Sequence, residues 1–240
     1  MKFKLLTVLI VIATLSSCDK EDCIEGNGPV VAQELYAPDF DAVKAEGSLD
    51  IFIEDGDEQV VEAVGHSNII DYLLVDEIGG TLHIELENDC YRDYELAIYI
   101  STPSIERVEL DGSGNIDIAP MEMDNDLELE IDGSGDIDFN SLEGVQNLQV
   151  EIDGSGTVRG HDSWDDLINL EIDIEGSGDY RGFDVMTENC EISISGSGDC
   201  RVFVTDNLDI IINGSGDVYY KGNPNIFSSI SGSGDVIDAN

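Results

Sequence analysis

The chain has 240 residues, of which 53 are Asp or Glu and 10 are Lys or Arg, so its formal net charge is −43. Nucleic acids are bound through clustered Lys and Arg side chains, and this charge balance therefore excludes a nucleic-acid-binding protein and disfavours anionic lipid surfaces. Apolar residues make up 41% of the chain, which is enough apolar surface for a core and argues against disorder. We expect one acidic folded body.

Residues 1–17 have the pattern of a signal peptide. Lys2 and Lys4 precede an apolar run over 5–15, which is shorter than the roughly 20 residues that span a bilayer. The run ends in Leu15-Ser16-Ser17-Cys18, which resembles the bacterial lipobox. The resemblance implies that Cys18 carries lipid and that the protein contacts the membrane through a lipid anchor alone. An ordinary export signal with a chance cysteine is the alternative.

The residues after Cys18 bear on the compartment and on the segment that follows. Asp19-Lys20-Glu21-Asp22 resembles the surface-display signal of Bacteroidetes lipoproteins, which implies the outer membrane and an outward-facing body. The alternative takes Asp19 as an inner-membrane retention signal. Residues 18–38 include Gly26 and Pro29 and are predicted to form a flexible tether between lipid and body.

A Gly-Ser-Gly triplet recurs seven times at intervals of 18–22 residues. Glycine permits the backbone conformations and close approaches that a sharp corner needs, so each triplet is predicted to be a corner. A phosphate loop is excluded because no helix pattern and no Lys follow the triplets. The corner glycines are Gly112, Gly114, Gly133, Gly135, Gly154, Gly156, Gly176, Gly178, Gly196, Gly198, Gly214, Gly216, Gly232 and Gly234.

Apolar residues alternate with polar residues on both sides of each triplet. If the first glycine is position 0, positions −6, −4 and −2 are apolar in the five copies from Gly133 to Gly214, as in Leu127, Leu129 and Ile131. Position +4 is apolar in every copy, as in Ile137. Alternation with a period of two residues predicts β-strands with one buried face. Each repeat therefore contains two short strands around a corner.

These repeats predict an all-β chain built as a β-solenoid, with rungs of about 18–22 residues stacked on one another. A string of antiparallel hairpins or a sandwich is the alternative. The body is predicted to cover residues 39–240, with triplet rungs over 106–240. Residues 39–105 are predicted to be divergent rungs, because Gly47 lies about three periods before Gly112.

Several short segments resemble one known family, the autotransporter adhesin "head GIN domain" family of Bacteroidetes surface proteins. The resemblance rests on the serial Gly-Ser-Gly-Asp corners, on Phe40-Asp41-Ala42-Val43 before Gly47-Ser48, on Thr102-Pro103, and on the ending Tyr220-Lys221-Gly222-Asn223-Pro224. It implies a single-stranded, right-handed parallel β-helix with a non-enzymatic role in adhesion or surface structure. The ligand would be a surface glycan or another envelope protein.

No arrangement in the sequence predicts catalysis or a cofactor. His66, His83 and His161 lie in separate segments without metal-ligand spacing, and no nucleophile elbow occurs. A polyuronate lyase would need more basic residues than this chain offers. A carbohydrate-active enzyme remains the least favoured alternative.

Trp164, the only tryptophan, lies in an acidic segment between two triplets. An exposed aromatic ring there could stack on the face of a sugar, which makes Trp164 a candidate ligand contact. A ring that folds back over the body as a lid is the other interpretation.

Acidic residues recur beside the corners. They occupy position −1 in Asp111, Asp132 and Asp153, and position +3 in Asp136, Asp179, Asp199, Asp217 and Asp235. Like charges one rung apart repel by about 1 kcal/mol in water, so the side chains either splay into solvent or share divalent ions. We predict weak, millimolar-class calcium binding along these acids and no tightly held metal.

Four cysteines besides Cys18 remain, and the sequence does not determine whether they form disulfides or stay as free thiols. Cys23, Cys90, Cys190 and Cys200 are even in number, which allows disulfides outside the cytoplasm. Cys190 and Cys200 fall at inward-facing positions, where buried free thiols are the alternative.

Overall fold

The computed structural model describes residues 23–87, 89–164 and 167–240. Almost all regular structure is β, and parallel strands stack into a solenoid, which confirms the predicted fold class. The signal peptide and the lipobox with Cys18 lie outside the described residues. No helix in the described part of the chain is long and apolar enough to cross a membrane.

Nine described strands and one short helix come before the triplet rungs. They are β1 (Ile24–Glu25), β2 (Val30–Leu35), β3 (Ala42–Gly47), β4 (Asp50–Asp55), β5 (Val60–His66), α1 (Ser67–Ile70), β6 (Leu73–Ile78), β7 (Thr81–Leu86), β8 (Tyr91–Arg92) and β9 (Leu96–Thr102).

The triplet rungs contain the remaining strands. They are β10 (Arg107–Gly112), β11 (Asn115–Ile118), β12 (Met121–Glu122), β13 (Leu127–Gly133), β14 (Asp136–Phe139), β15 (Leu142–Glu143), β16 (Asn147–Gly154), β17 (Thr157–Gly160), β18 (Asn169–Gly176), β19 (Asp179–Gly196), β20 (Cys200–Gly214), β21 (Val218–Gly222), β22 (Asn225–Gly232) and β23 (Val236–Asp238).

Each rung places one strand before its corner and one after it. The strands before the corners stack in parallel as β3, β10, β13, β16, β18, the later parts of β19 and β20, and β22; we call this stack the first sheet. The strands after the corners stack in the same way and form the second sheet. The short strands β12 and β15 pair beyond the second sheet.

The corners stack in register along the whole solenoid. Gly112 lies beside Gly133, which lies beside Gly154, and the same pairing continues to Gly232. In each triplet the backbone N–H of the serine donates to the carbonyl of the first glycine one rung earlier, at 2.7–2.8 Å. Each triplet therefore lies between the two strands of its rung and is hydrogen-bonded to the triplet or corner before it.

The core is a column of aliphatic side chains between the sheets. Positions −6, −4 and −2 are buried from the rung of Leu127 to the rung of Leu208, and position +4 is buried from Ile116 to Val218. Like side chains stack on like, because the parallel register places equivalent residues next to one another. The inward-facing pattern predicted from the sequence is confirmed for these rungs.

The N-terminal part of the body differs from the prediction. The rung of Gly47, made of β3 and β4, stacks directly on the rung of Gly112, made of β10 and β11. Residues 56–106 are therefore inserted between two neighbouring rungs and are not the consecutive divergent rungs that the spacing suggested. Within the insertion, β7 and β9 pair in parallel with β3 and β4 and form the first level of the solenoid. Antiparallel strands β6, β5 and β2 then extend that level at its edges. The antiparallel pairing covers the N-terminal end of the core.

The prediction of a flexible tether over residues 18–38 is wrong for residues 23–38, the part that the structure describes. Strand β2 pairs along its length with β5, and β1 pairs with β8. A disulfide joins Cys23 to Cys90 beside this pairing. The chain is thus attached to the body from Cys23 onward, because backbone pairing and a covalent link hold it there.

Candidate functional site

A long groove of about 1020 Å³ runs across the rungs at the start of the first-sheet strands. We call it the axial groove. Two lines of residues face it: position −7 (Asp126, Asn147, Asn169, Asn189 and Asn207) and position −5 (Arg107, Glu128, Gln149, Glu171, Glu191 and Asp209). Because neighbouring rungs repeat at about 4.8 Å, each line presents one polar side chain per rung. The groove can therefore contact an extended ligand at several equivalent points.

The position −7 line is an asparagine ladder made of Asn147, Asn169, Asn189, Asn207 and Asn225. The side-chain Nδ2 of each asparagine donates to the Oδ1 one rung earlier, at 2.7–3.4 Å, and the first donates to Asp126 Oδ1 at 2.8 Å. Stacked amides of this kind stabilise parallel in-register strands. Asn189 and Asn225 also donate to the carbonyls of Ile168 and Asp206, at 3.4 and 3.1 Å. In the other three amides the second N–H has no acceptor among the described residues, and a ligand could hydrogen-bond with it.

The position −5 line and the neighbouring position −3 line are acidic over most of the first sheet. Lys44 pairs with Glu109, and Arg107 pairs with Glu130, near the N-terminal end of these lines. The hydrogen bond from Lys44 to Glu109 outweighs the opposing effect of desolvation and raises the pKa of Lys44. Farther along the groove, Glu171, Glu191 and Asp209 have no basic residue at the same position on a neighbouring strand. That part of the groove therefore carries an unbalanced negative charge.

The acids at position +3 have an internal role that the sequence analysis did not predict. Asp179 Oδ1 accepts the backbone N–H of Asp199 at 2.9 Å, and the same contact links Asp199 to Asp217 and Asp217 to Asp235. Asp136 Oδ1 likewise accepts the N–H of Thr157. The carboxylates of these four residues, Asp136, Asp179, Asp199 and Asp217, thus each satisfy a backbone donor of the next rung.

Three arginines at position +5 stack beside these aspartates. Arg159 contacts Asp136 and Asp138, Arg181 contacts Asp179 at 2.9 Å, and Arg201 contacts Asp199 at 3.5 Å. Burial of Asp179 opposes its ionisation, but Arg181 and the N–H of Asp199 outweigh it, so the pKa of Asp179 is lowered. The guanidinium of Arg201 also lies 5.0 Å from the ring centre of Tyr219.

These contacts restrict where calcium could bind. Among the described residues, no group of three or more acidic, His or Cys side chains is arranged to hold a metal ion. Backbone N–H groups engage the position +3 carboxylates of every rung before that of Asp235, and arginines engage three of them. Asp132 and Asp153, in contrast, lie side by side at position −1 without a basic residue at the same position. We therefore restrict the calcium hypothesis to position −1.

Millimolar calcium is expected to raise the melting temperature slightly more than sodium chloride of the same ionic strength, because a divalent ion can bridge Asp132 and Asp153. Differential scanning calorimetry of the wild type and of Asp132→Asn/Asp153→Asn would measure the difference. Equal shifts with both salts would leave only charge screening. A calcium effect that persists in the double variant would place the ions elsewhere.

Trp164 is not the exposed ligand contact that one interpretation predicted. Its side chain is 5% exposed, its Nε1 donates to the carbonyl of Val145 at 2.8 Å, and its ring packs edge-on against Phe139. The ring covers the core and satisfies its own donor within the protein. The structure agrees with the alternative, in which Trp164 is a lid.

The histidines and cysteines form no common site in the described residues. His66 accepts the N–H of Glu95, His83 lies in β7, and His161 contacts Asp138 at 2.7 Å. Cys190 and Cys200 are free and buried, and burial raises the pKa of both thiols. Neither thiol is therefore ionised or accessible.

Comparisons with known proteins place these features in a family. The family model described as "Putative auto-transporter adhesin, head GIN domain" matches residues 39–224. No curated protein matches the chain.

Solved structures share the fold over most of both chains. A putative adhesin from Bacteroides fragilis is 23% identical, with a TM-score of 0.81 over 89% of this chain and 99% of that one. A protein from Parabacteroides distasonis described as a putative lipid binding protein is 27% identical, with a TM-score of 0.68 over 90% and 99%. A putative adhesin from Parabacteroides merdae is 20% identical, with a TM-score of 0.62 over 90% and 100%. With the family model matched over residues 39–224, the chain belongs to the auto-transporter adhesin, head GIN domain family.

Proposed function

We propose that the protein is a non-enzymatic binding module, anchored to the bacterial surface by lipid at Cys18, which holds an extended uncharged glycan in the axial groove. The observation that carries the proposal is the groove itself, with an amide and, in most rungs, a carboxylate repeated at the same two positions. Amides and carboxylates together donate to and accept from sugar hydroxyls. A linear polymer would meet the same pair of groups at each rung.

Charge and polarity narrow the class of ligand. The unpaired carboxylates of Glu171, Glu191 and Asp209 would repel uronates and other anionic polymers. One structural relative is described as a putative lipid binding protein, but polar side chains line both sides of the present groove. An acyl chain would leave those groups unsatisfied, so a polar ligand fits better.

Glycan-array binding of the purified protein tests the groove. Glu171→Gln/Glu191→Gln is expected to weaken binding to neutral glycans by about tenfold or more, because charge-assisted hydrogen bonds are lost. The matched control is Glu151→Gln/Asp173→Asn, which removes two acids at position −3 of the same sheet, outside the groove lining. Equal loss in both variants, or preferential binding of uronates, would contradict the proposed site. Release of glycan fragments would contradict a non-enzymatic role.

Anchoring is tested separately. Cys18→Ala is expected to release the protein from the membrane fraction or to leave it unprocessed, because a lipid chain can no longer attach. Fractionation and immunoblotting would measure this, and retention equal to that of the wild type would contradict the anchor. Trypsin added to whole cells should cut the wild-type protein if the body faces outward.

A further inference from the structure

The C-terminal edge of the first sheet is open in the described residues. Strand β22 pairs with β20 on one side, and no described strand lies on its other side. Ile226 and Ile230 occupy the inward positions −6 and −2 but are 38% and 43% exposed, and Phe227 is 64% exposed. The equivalent Leu208 and Ile212 one rung earlier are fully buried. This edge therefore presents both uncovered core side chains and unpaired backbone groups.

The same edge lacks the charges found on the rest of the sheet. The rungs of Gly133, Gly154 and Gly176 carry two or three carboxylates each at positions −5, −3 and −1, whereas β22 has Phe227, Ser229 and Ser231 there. At the N-terminal end, the edge strand β6 contains Asp76 and Glu77. Charged side chains on an edge strand prevent pairing with another sheet, and β22 has none.

The inward residues of β22 are arranged symmetrically about Ser228. In an antiparallel pair of two β22 strands centred there, Ile226 of each strand would face Ile230 of the other, and Ser228 would face itself. A two-fold interface requires this kind of self-complementarity. A chain of charge −43 would repel its own copy across its acidic surfaces, whereas this uncharged edge allows close approach.

We propose that two copies of this chain associate end to end through antiparallel pairing of β22 with β22. The pairing extends the first sheet across the interface and removes Ile226, Phe227 and Ile230 from water. The N-terminal parts of the two copies then lie at opposite ends of the dimer. This step depends on the proposed lipid anchor at Cys18. With the anchors at opposite ends, the dimer joins molecules on two facing cells and not neighbouring molecules on one cell surface.

Sedimentation velocity of the purified full chain at physiological salt tests the association. The wild type is expected to dimerise, and Phe227→Glu is expected to raise the dissociation constant at least about tenfold, because it places like charges across the two-fold axis. Glu already occupies the equivalent position in Glu191 and Glu171, so the fold should accept it. Gln149→Glu adds the same charge at the same position far from the edge and should leave the dimer intact. A monomeric wild type, or equal effects of the two variants, would overturn the proposal.

A cross-link fixes the register independently of charge. Ser228→Cys is expected to form an intermolecular disulfide under mild oxidation. The wild type should not, since Cys190 and Cys200 are buried, Cys23 is already joined to Cys90, and Cys18 is proposed to carry lipid. Failure of Ser228→Cys to cross-link in a dimeric protein would overturn the β22 pairing. Aggregation of cells that display the protein tests the facing-cell arrangement. Loss of aggregation in Phe227→Glu with normal display supports it, whereas loss of display in Cys18→Ala reports on the anchor alone.

Discussion

Replacing Gly154 with valine is expected to lower the free energy of unfolding by about 3 kcal/mol or more. Gly154 has φ +125°, a region that L side chains rarely adopt, and a Cβ there would lie 2.2 Å from the carbonyl oxygen of Gly133. The backbone strain costs about 1–3 kcal/mol and overpacking costs a similar amount. In a domain of this size the melting temperature should fall by roughly 6–12 °C.

Two control variants separate this effect from general perturbation. Ser155→Val places the same side chain one residue later at an exposed position and should change the free energy of unfolding by no more than about 0.5 kcal/mol. Equal destabilisation by Gly154→Val and Ser155→Val would reject the corner geometry. Because each rung contacts only its neighbours, hydrogen exchange should show the largest loss of protection in the adjacent rungs.

Glu151→Gln is the control on the strand that leads into the same corner. Partial desolvation, followed by the charges of Glu130 and Asp173, raises the pKa of Glu151. A raised carboxyl pKa in the folded state means that stability is lost as pH rises through that pKa. The variant should therefore be as stable as the wild type or more stable at pH 7, with the difference shrinking below the ordinary carboxyl range.

The triplet rungs were predictable because successive copies of the repeat carry the same residue types at the same offsets from their Gly-Ser-Gly triplets. Alternation specified the buried face, the glycines specified the corners, and constant offsets specified parallel register, so Leu129, Val150 and Ile172 stack as expected. The insertion between β4 and β10 was not predictable. Its apolar and polar residues alternate as in strands, but nothing in the sequence indicates which strands pair or whether they pair in parallel. The spacing alone suggested further rungs.

The candidate site was only partly visible in the sequence. The asparagine ladder repeats at position −7 from Asn147 to Asn225, so its signal was present at the same offsets that revealed the strands. Its polar residues lay outside the apolar pattern that organised the prediction. The arginine stack at position +5 was recognisable in the same way. The burial of Trp164 was not, because it depends on contact with Phe139 and Val145 in other rungs.

Tyr180 provides a test of the column of core residues inside the solenoid. It occupies position +4, where other rungs carry Ile, Val or Cys, and it is completely buried. Its hydroxyl has no hydrogen-bond partner among the described residues. Burial, with smaller contributions from Cys200 and Cys190, holds the pKa of Tyr180 well above its ordinary value, so the hydroxyl remains protonated near neutral pH.

Tyr180→Phe is therefore expected to raise the free energy of unfolding by about 1–2 kcal/mol, because a buried unsatisfied polar group costs about 1–3 kcal/mol and the lost volume returns part of that gain. Urea denaturation at neutral pH would measure it, and the gain should be the same at pH 6 and pH 8. Tyr219→Phe removes the same atom from a half-buried hydroxyl that contacts Asp217 at 3.3 Å and should be neutral or slightly destabilising. Destabilisation by Tyr180→Phe would contradict this prediction, because it would show that the hydroxyl has a hydrogen-bond partner in solution, for instance a water enclosed beside Gly182. The core at this rung would then be less tightly packed than the column of apolar side chains implies.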